Sequence, residues 1–70
     1  METKTTYFYG SASHSITRNF DTVQIARGVA KRTMREIPLA HKAIVEVGGV
    51  VYTITPNKET GQWDMSEEVR

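Results

Sequence analysis

Apolar and polar positions follow a helical period in the middle of the chain. Over residues 22–36, apolar or small side chains return every three or four positions, which places them on one face of an α-helix. Asp21 stands at the N-cap position with Gln24 three residues later, the capping-box spacing, and Pro38 ends the segment. A helix is therefore predicted over residues 22–36. Its inward face consists of Val23, Ala26, Ala30, Thr33, Met34 and Ile37.

The next segment alternates on both sides of a Gly-Gly pair and predicts a β-hairpin. Gly48 and Gly49 supply the two positive φ angles of a type I′ turn, which fixes how the two strands pair. In that register the apolar side chains of both strands fall on one face, where burial is expected. The pairs on that face are Val47 with Val50, Val45 with Tyr52 and Ala43 with Ile54.

The two ends of the chain carry weaker signals. Residues 4–10 combine threonines with aromatic residues and predict a strand, whereas residues 10–19 concentrate small polar residues without a period and predict a loop. Toward the C-terminus a strand is predicted around Trp63, followed by an acidic tail over residues 66–70.

These elements make up one small α+β domain spanning residues 1–70. The predicted order is β-α-β-β-β, with one α-helix packed on an antiparallel sheet of about four strands. In the predicted register of the last strand, Gln62 lies opposite Thr55, which brings Trp63 opposite Ile54 on the buried face.

The amino-acid composition indicates the cellular environment of this domain and the size of its core. The chain has 70 residues and no cysteine, which excludes disulfides and thiolate metal ligands. No apolar run approaches the roughly 20 residues that cross a bilayer, so a soluble, cytoplasmic protein with no membrane contact is expected. A domain of this size buries only about 60 % of its unfolded surface, so each large apolar side chain is expected to serve the core.

Charge is distributed unevenly although the net charge is only +1. Residues 18–42 carry six basic and two acidic groups, a net of +4, and residues 46–70 carry five acidic and two basic groups, a net of −3. On the polar face of the helix, three cations at i, i+4 and i+8 repel one another, and a glycine beside them leaves room for a partner's backbone or a phosphate. This face is therefore predicted to dock a partner. The candidate partner-binding residues are Arg27, Gly28, Lys31, Arg32, Arg35, Arg18 and Lys42.

Catalytic chemistry lacks the necessary residues. His14 and His41 have no cysteine and no HExxH-type spacing near them, which argues against a metal site. The serines around His14 are typical of a polar loop, and the Gly-Gly pair is accounted for by the hairpin. We therefore expect no enzyme, no metal and no cofactor.

The order of three short motifs resembles a family of small phage and prophage proteins. The motifs are "AKR" at residues 30–32, "AIVEV" at residues 43–47 and "TGQWD" at residues 60–64. One branch of that family resembles anti-CRISPR proteins that inhibit type I-F surveillance complexes, with a sheet curled around a single helix. The resemblance implies a non-enzymatic inhibitor that occupies the DNA-binding groove of a host nucleoprotein complex, in the cytoplasm of the host cell.

Two other functions stay open at this point. The same basic residues suit a module that binds nucleic acid directly through salt-dependent phosphate contacts. Alternatively, Ile44 and Val51 on the outer face of the hairpin could form the interface of a homodimeric structural or assembly protein. The sequence does not decide between a monomer and a homodimer.

Overall fold

The computed structural model describes all 70 residues. It contains one α-helix and five β-strands, which confirms the α+β class and adds one strand to the predicted sheet. The elements are β1 (Glu2–Tyr9), β2 (Ala12–Asn19), α1 (Val23–Glu36), β3 (Ala40–Val47), β4 (Val50–Pro56) and β5 (Trp63–Val69).

The strands form one antiparallel sheet in the order β2-β1-β3-β4-β5. Strands β2 and β5 are thus its two free edges. Helix α1 lies across one face and packs mainly on β3, at the centre of the sheet. At 14 residues, this helix is too short and too polar to cross a membrane.

The helix begins one residue later than predicted, because Thr22 and not Asp21 is the N-cap. Thr22 has extended backbone angles (φ −140°, ψ 159°), and its Oγ1 accepts a hydrogen bond from the Ile25 N–H at 3.1 Å. The predicted box between Asp21 and Gln24 is therefore wrong, whereas the predicted end of the helix at Glu36 is confirmed.

The predicted loop over residues 10–19 is wrong, because all but its first two residues form β2, which pairs with β1 along its whole length. Gly10 and Ser11 make the two-residue turn, and the φ of +59° at Gly10 fits a type II′ turn. Every residue of β2 is exposed. Since burial imposes no alternation of apolar and polar residues here, this strand leaves no periodic signal in the sequence.

The β3–β4 hairpin has the predicted register, with Val47 opposite Val50 and Val45 opposite Tyr52. Its turn differs from the prediction, since only Gly48 has a positive φ, +58°. The turn therefore fits type II′ and not type I′. Both types close a two-residue loop, so the pairing of the strands is the same.

Strand β5 runs through the predicted acidic tail, and its register differs from the prediction by two residues. Asp64, and not Gln62, lies opposite Thr55. The cause lies in the preceding loop, where Asn57 Oδ1 accepts two backbone hydrogen bonds at 3.0 and 3.2 Å, and the Asn57 N–H donates to Gln62 O at 2.8 Å. A shift of two residues keeps every side chain on its predicted face.

The core lies between α1 and the face of the sheet beneath it. Ala26, Ala30 and Met34 are buried from the helix side, as predicted. The strands contribute Tyr7, Ala43, Val45, Tyr52 and Ile54.

The other face of the sheet is covered by no element. Ile44 and Val51, the predicted dimer interface, lie on this face, but Val51 is only 8 % exposed and Ile44 is half-buried. This face therefore offers little apolar surface to a second copy of the chain.

Candidate functional site: a cationic flank on the helix

Three cations stand on one side of α1, one on each successive turn. Arg27, Lys31 and Arg35, called here the cationic flank, span about 12 Å along the helix axis at about 1.5 Å per residue. Arg27 and Lys31 are half-buried, whereas Arg35 is exposed. The exposure of these cations thus increases toward the C-terminal end of the helix.

Two members of the cationic flank stack on aromatic rings of the sheet, contacts that the helical period does not predict. The Arg27 guanidinium lies 5.2 Å from the centroid of the Tyr52 ring, on β4, and the Arg35 guanidinium lies 5.6 Å from that of Trp63, on β5. Such contacts contribute about 0.5–1 kcal/mol each at exposed sites. The rings hold the first and last cation in place, with Lys31 between them.

None of these three cations is neutralised by an ion pair. The ion pair in the structure joins Arg70 to Glu46 at 2.9 Å. Glu67, opposite Tyr52 on β5, instead accepts a hydrogen bond from the Tyr52 hydroxyl at 3.4 Å. The flank therefore keeps its positive charge available to a partner, with one carboxylate at its border.

Gly28 lies beside the flank and is not required by the fold. An added Cβ would meet no atom within 4 Å, and the residue has an ordinary helical conformation. Glycine in a helix interior costs about 1 kcal/mol relative to alanine. Packing gives no reason for this cost, and the bare surface at Gly28 lets a partner come close to the helix backbone beside the flank.

The remaining predicted residues lie outside the cationic flank. Arg32 is exposed on the side of α1 that faces away from the sheet. Arg18 lies in β2, where its guanidinium stacks on Phe20 at 5.3 Å. Lys42 lies on the uncovered face of the sheet, with Nζ 4.6 Å from the centroid of the Phe8 ring. Of the remaining predicted residues, only Arg32, one turn after Gly28 on the helix, therefore borders the cationic flank and its glycine.

Sequence reasoning missed the aromatic half of this site. Tyr52 and Trp63 are predicted only as core residues, and the structure shows Tyr52 buried and Trp63 half-buried. Their contact with the arginines depends on which strands lie beside which side of the helix, and hence on the strand order. No pattern within the helix or within a single strand carries that information.

A second feature lies on the opposite side of α1, toward β2. A groove of about 40 Å³ separates the helix from this strand, and Arg18 is its one charged lining residue. Small-molecule sites usually have about 300–1,000 Å³, so the groove is small for that role. It escapes sequence analysis because it exists only once residues 12–19 form a strand. The lining residues are Thr5, Tyr7, Ile16, Arg18, Phe20, Val29 and Thr33.

The side chains considered for catalysis are not brought together. His14 projects from the helix-facing side of β2, whereas Ser13 and Ser15 project from the other side. His41 Nε2 lies 3.2 Å from Gly10 O, and no group of three or more His, Cys, Asp or Glu side chains is placed to hold a metal ion. The strand therefore provides no nucleophile and base pair around His14.

Comparison with known proteins adds no relative. The chain matches no protein family, no curated protein and no solved structure. The resemblance to small phage proteins therefore stays a prediction.

Proposed function

We propose that this protein is a non-enzymatic interaction protein that docks on a host nucleic-acid-handling complex and thereby inhibits or modulates it. The cationic flank carries the proposal, because it is unpaired and two of its three members are oriented by aromatic rings. Groups already oriented in the free protein lose less entropy when a partner binds. An arginine so placed can donate two parallel hydrogen bonds to a carboxylate or a phosphate.

The dimensions and border of the flank favour a discrete anionic patch on a partner protein over a long nucleic-acid backbone. Duplex DNA presents one charge per ~1.7 Å of its axis, so a row of about 12 Å meets only a few phosphates. Strand β5, beside the flank, directs Glu67 to the face of the sheet that the helix covers, and this carboxylate repels a backbone that continues past the row. The proposal is therefore one-sided docking on a carboxylate-rich patch.

Affinity capture tests this proposal. The immobilised full chain is incubated with a bacterial lysate, with and without nuclease treatment, and bound proteins are identified by mass spectrometry. We expect a nucleic-acid-handling complex to be retained at low salt, to survive nuclease, and to be released as salt is raised, because exposed charge pairs are screened. Retention of no such complex would contradict the proposal.

Direct binding to nucleic acid is the second candidate, and the unpaired charge of the flank is the observation that favours it. It predicts that a fluorescently labelled single-stranded or duplex oligonucleotide binds the purified protein. A flank of three cations limits the slope of log affinity against log salt to about −3. No change in fluorescence anisotropy at low salt would reject this candidate and leave the first.

A further inference from the structure

The two free edges of the sheet differ in how well they are protected against pairing with another strand. Exposed edges present unpaired N–H and C=O groups, which proteins commonly guard with charged side chains or proline. Strand β5 carries three carboxylates among seven residues, whereas the eight residues of β2 include one formal charge, Arg18, and no proline. The edge at β5 is therefore guarded, and the edge at β2 is open.

We propose that β2 pairs with β2 of a second copy of this chain, antiparallel about a two-fold axis, which joins two sheets into one with both helices on the same face. The backbone is arranged for this pairing. The Phe20 N–H donates to Met1 O at 3.0 Å, and the Met1 amino group donates to Phe20 O at 2.7 Å. Met1 and Phe20 thus form a hydrogen-bonded pair, and hydrogen-bonded pairs alternate with non-hydrogen-bonded pairs along an antiparallel ladder. The even-numbered residues of β2 therefore bond to β1. The odd-numbered residues Ser13, Ser15 and Thr17 direct their N–H and C=O groups at the free edge.

One register makes β2 complementary to itself. When Ile16 lies on the two-fold axis, it meets Ile16 of the second copy, and Phe20 meets Ala12 of the second copy at each end. Ile16 is 37 % exposed in the isolated chain, so this contact removes apolar surface from water. A shift by two residues would instead set Ile16 against His14 or Arg18. In the register with Ile16 on the axis, His14 lies opposite Arg18 of the second copy on the helix-facing side. On the other side, Ser13 lies opposite Asn19 and Ser15 lies opposite Thr17.

Pairing of β2 with β5 of another copy is the competing arrangement. It is favoured by attraction between Arg18 on β2 and the carboxylates on β5. On β5 the odd-numbered residues face the free edge, since Arg70 and Gln62 are bonded to the neighbouring chain. Antiparallel pairing would therefore set the serines of β2 against Trp63 and Met65, with the second helix on the opposite face. Each copy would also keep a free edge, so the assembly would grow without closing. The β2–β2 dimer matches apolar with apolar and closes.

Sedimentation equilibrium over a concentration series measures the assembly directly. The wild-type chain is expected to reach twice its 7.9 kDa mass and to stop there. A mass that stays at 7.9 kDa at every concentration, or one that keeps rising past the dimer, overturns the β2–β2 pairing.

Charge substitutions on the axis test the register. Ile16→Lys and Ile16→Glu are each expected to sediment as monomers, because like charges would meet at the axis, and an equimolar mixture is expected to restore the dimer. Met65→Lys is the matched control, since it adds the same charge at an apolar residue of the other edge that is 42 % exposed, and its dimer is expected to persist. A dimer of either Ile16 variant alone, a mixture without dimer, or a monomeric Met65→Lys contradicts the register.

Hydrogen exchange of the wild-type protein is a second test of the β2–β2 pairing and needs no variant. The amide protons of Ser15 and Thr17 point at the free edge and are expected to become protected at concentrations where the dimer forms. Those of Met65 and Glu67 face the other edge and are expected to exchange fast throughout. Fast exchange at both edges in concentrated protein, or protection at β5 alone, counts against the proposal.

Discussion

Arg27 and Arg35 each contribute to the structure and to the proposed docking through the same guanidinium group. Their guanidinium groups stack on the rings of Tyr52 and Trp63 and still carry the charge that a partner would meet. The stacking therefore ties the helix to the sheet while the charge stays available to a partner. Charge reversal also removes the stacking, so the fold of such a variant has to be checked before its binding is compared.

Thr3 is a buried residue whose hydroxyl has no hydrogen-bond partner, with 1 % of its surface exposed. An unpaired buried hydroxyl costs about 1–3 kcal/mol, and valine has nearly the same shape. Thr3→Val is therefore expected to raise the free energy of unfolding by about 1 kcal/mol in urea denaturation. Thr5→Val, at a threonine that is 5 % exposed and whose hydroxyl is not both buried and unpaired, is the control and is expected to gain less. Equal gains would contradict this explanation.

Gly28 leads to a prediction that separates stability from function. Since a Cβ there meets no atom within 4 Å, Gly28→Ala is expected to stabilise the protein by about 1 kcal/mol, which raises Tm by roughly 4–8 °C in a domain of this size. Thermal unfolding followed by circular dichroism measures the shift. If the glycine serves close approach of a partner, the same variant binds that partner more weakly. An unchanged Tm would show that the glycine is not a cost to the helix.

At the scale of the elements, the N-cap fixes where α1 begins. The Thr22 hydroxyl accepts the Ile25 N–H at 3.1 Å, whereas Asp21 makes no capping contact. Thr22→Ala is therefore expected to cost about 1 kcal/mol in the free energy of unfolding, and Asp21→Ala, the matched control, a few tenths at most. Chemical denaturation of both variants checks the assignment. A larger loss in Asp21→Ala would restore the cap predicted from sequence.

The elements that bury side chains are the ones that the sequence predicts well. The helix and the β3–β4 pairing follow from residues such as Ala30, Val45 and Ile54, which must all reach one core, so an error of one residue would expose them. In β2 and β5 most side chains are exposed, and pairing is set by turns and by neighbouring backbone. That is why β2 is predicted as a loop and β5 in a register two residues away.

The candidate site, too, is predictable only where a local sequence pattern determines it. The row of cations is readable from the helical period, because Arg27, Lys31 and Arg35 recur every fourth residue. Arg18 and Lys42 are placed far from that row by strand topology, which a local pattern does not encode. The aromatic partners and the open edge at β2 depend equally on long-range pairing.

At the scale of the whole molecule, the two proposed surfaces lie on opposite sides of the helix. The cationic flank faces β4 and β5, whereas the proposed dimer edge is β2. A β2–β2 dimer would thus leave both flanks uncovered and directed away from its axis. Two sites on one dimer bind a partner that carries two anionic patches more tightly than one site does, through effective concentration.

The dissociation constant of the captured complex tests docking through the cationic flank. Surface plasmon resonance compares the wild type with two triple charge reversals of equal charge change, after circular dichroism has shown all three to be folded. The flank variant carries Arg27→Glu, Lys31→Glu and Arg35→Glu, and the control carries Lys4→Glu, Lys42→Glu and Lys58→Glu.

We expect the flank variant to bind at least about a hundredfold more weakly, because hydrogen bonds to charged groups contribute about 1.5–3 kcal/mol each. The control is expected to stay within about threefold of the wild type, since exposed charges outside the contact act only through screened, long-range attraction. Equal weakening in both variants, or unchanged binding in the flank variant, would contradict docking through this surface.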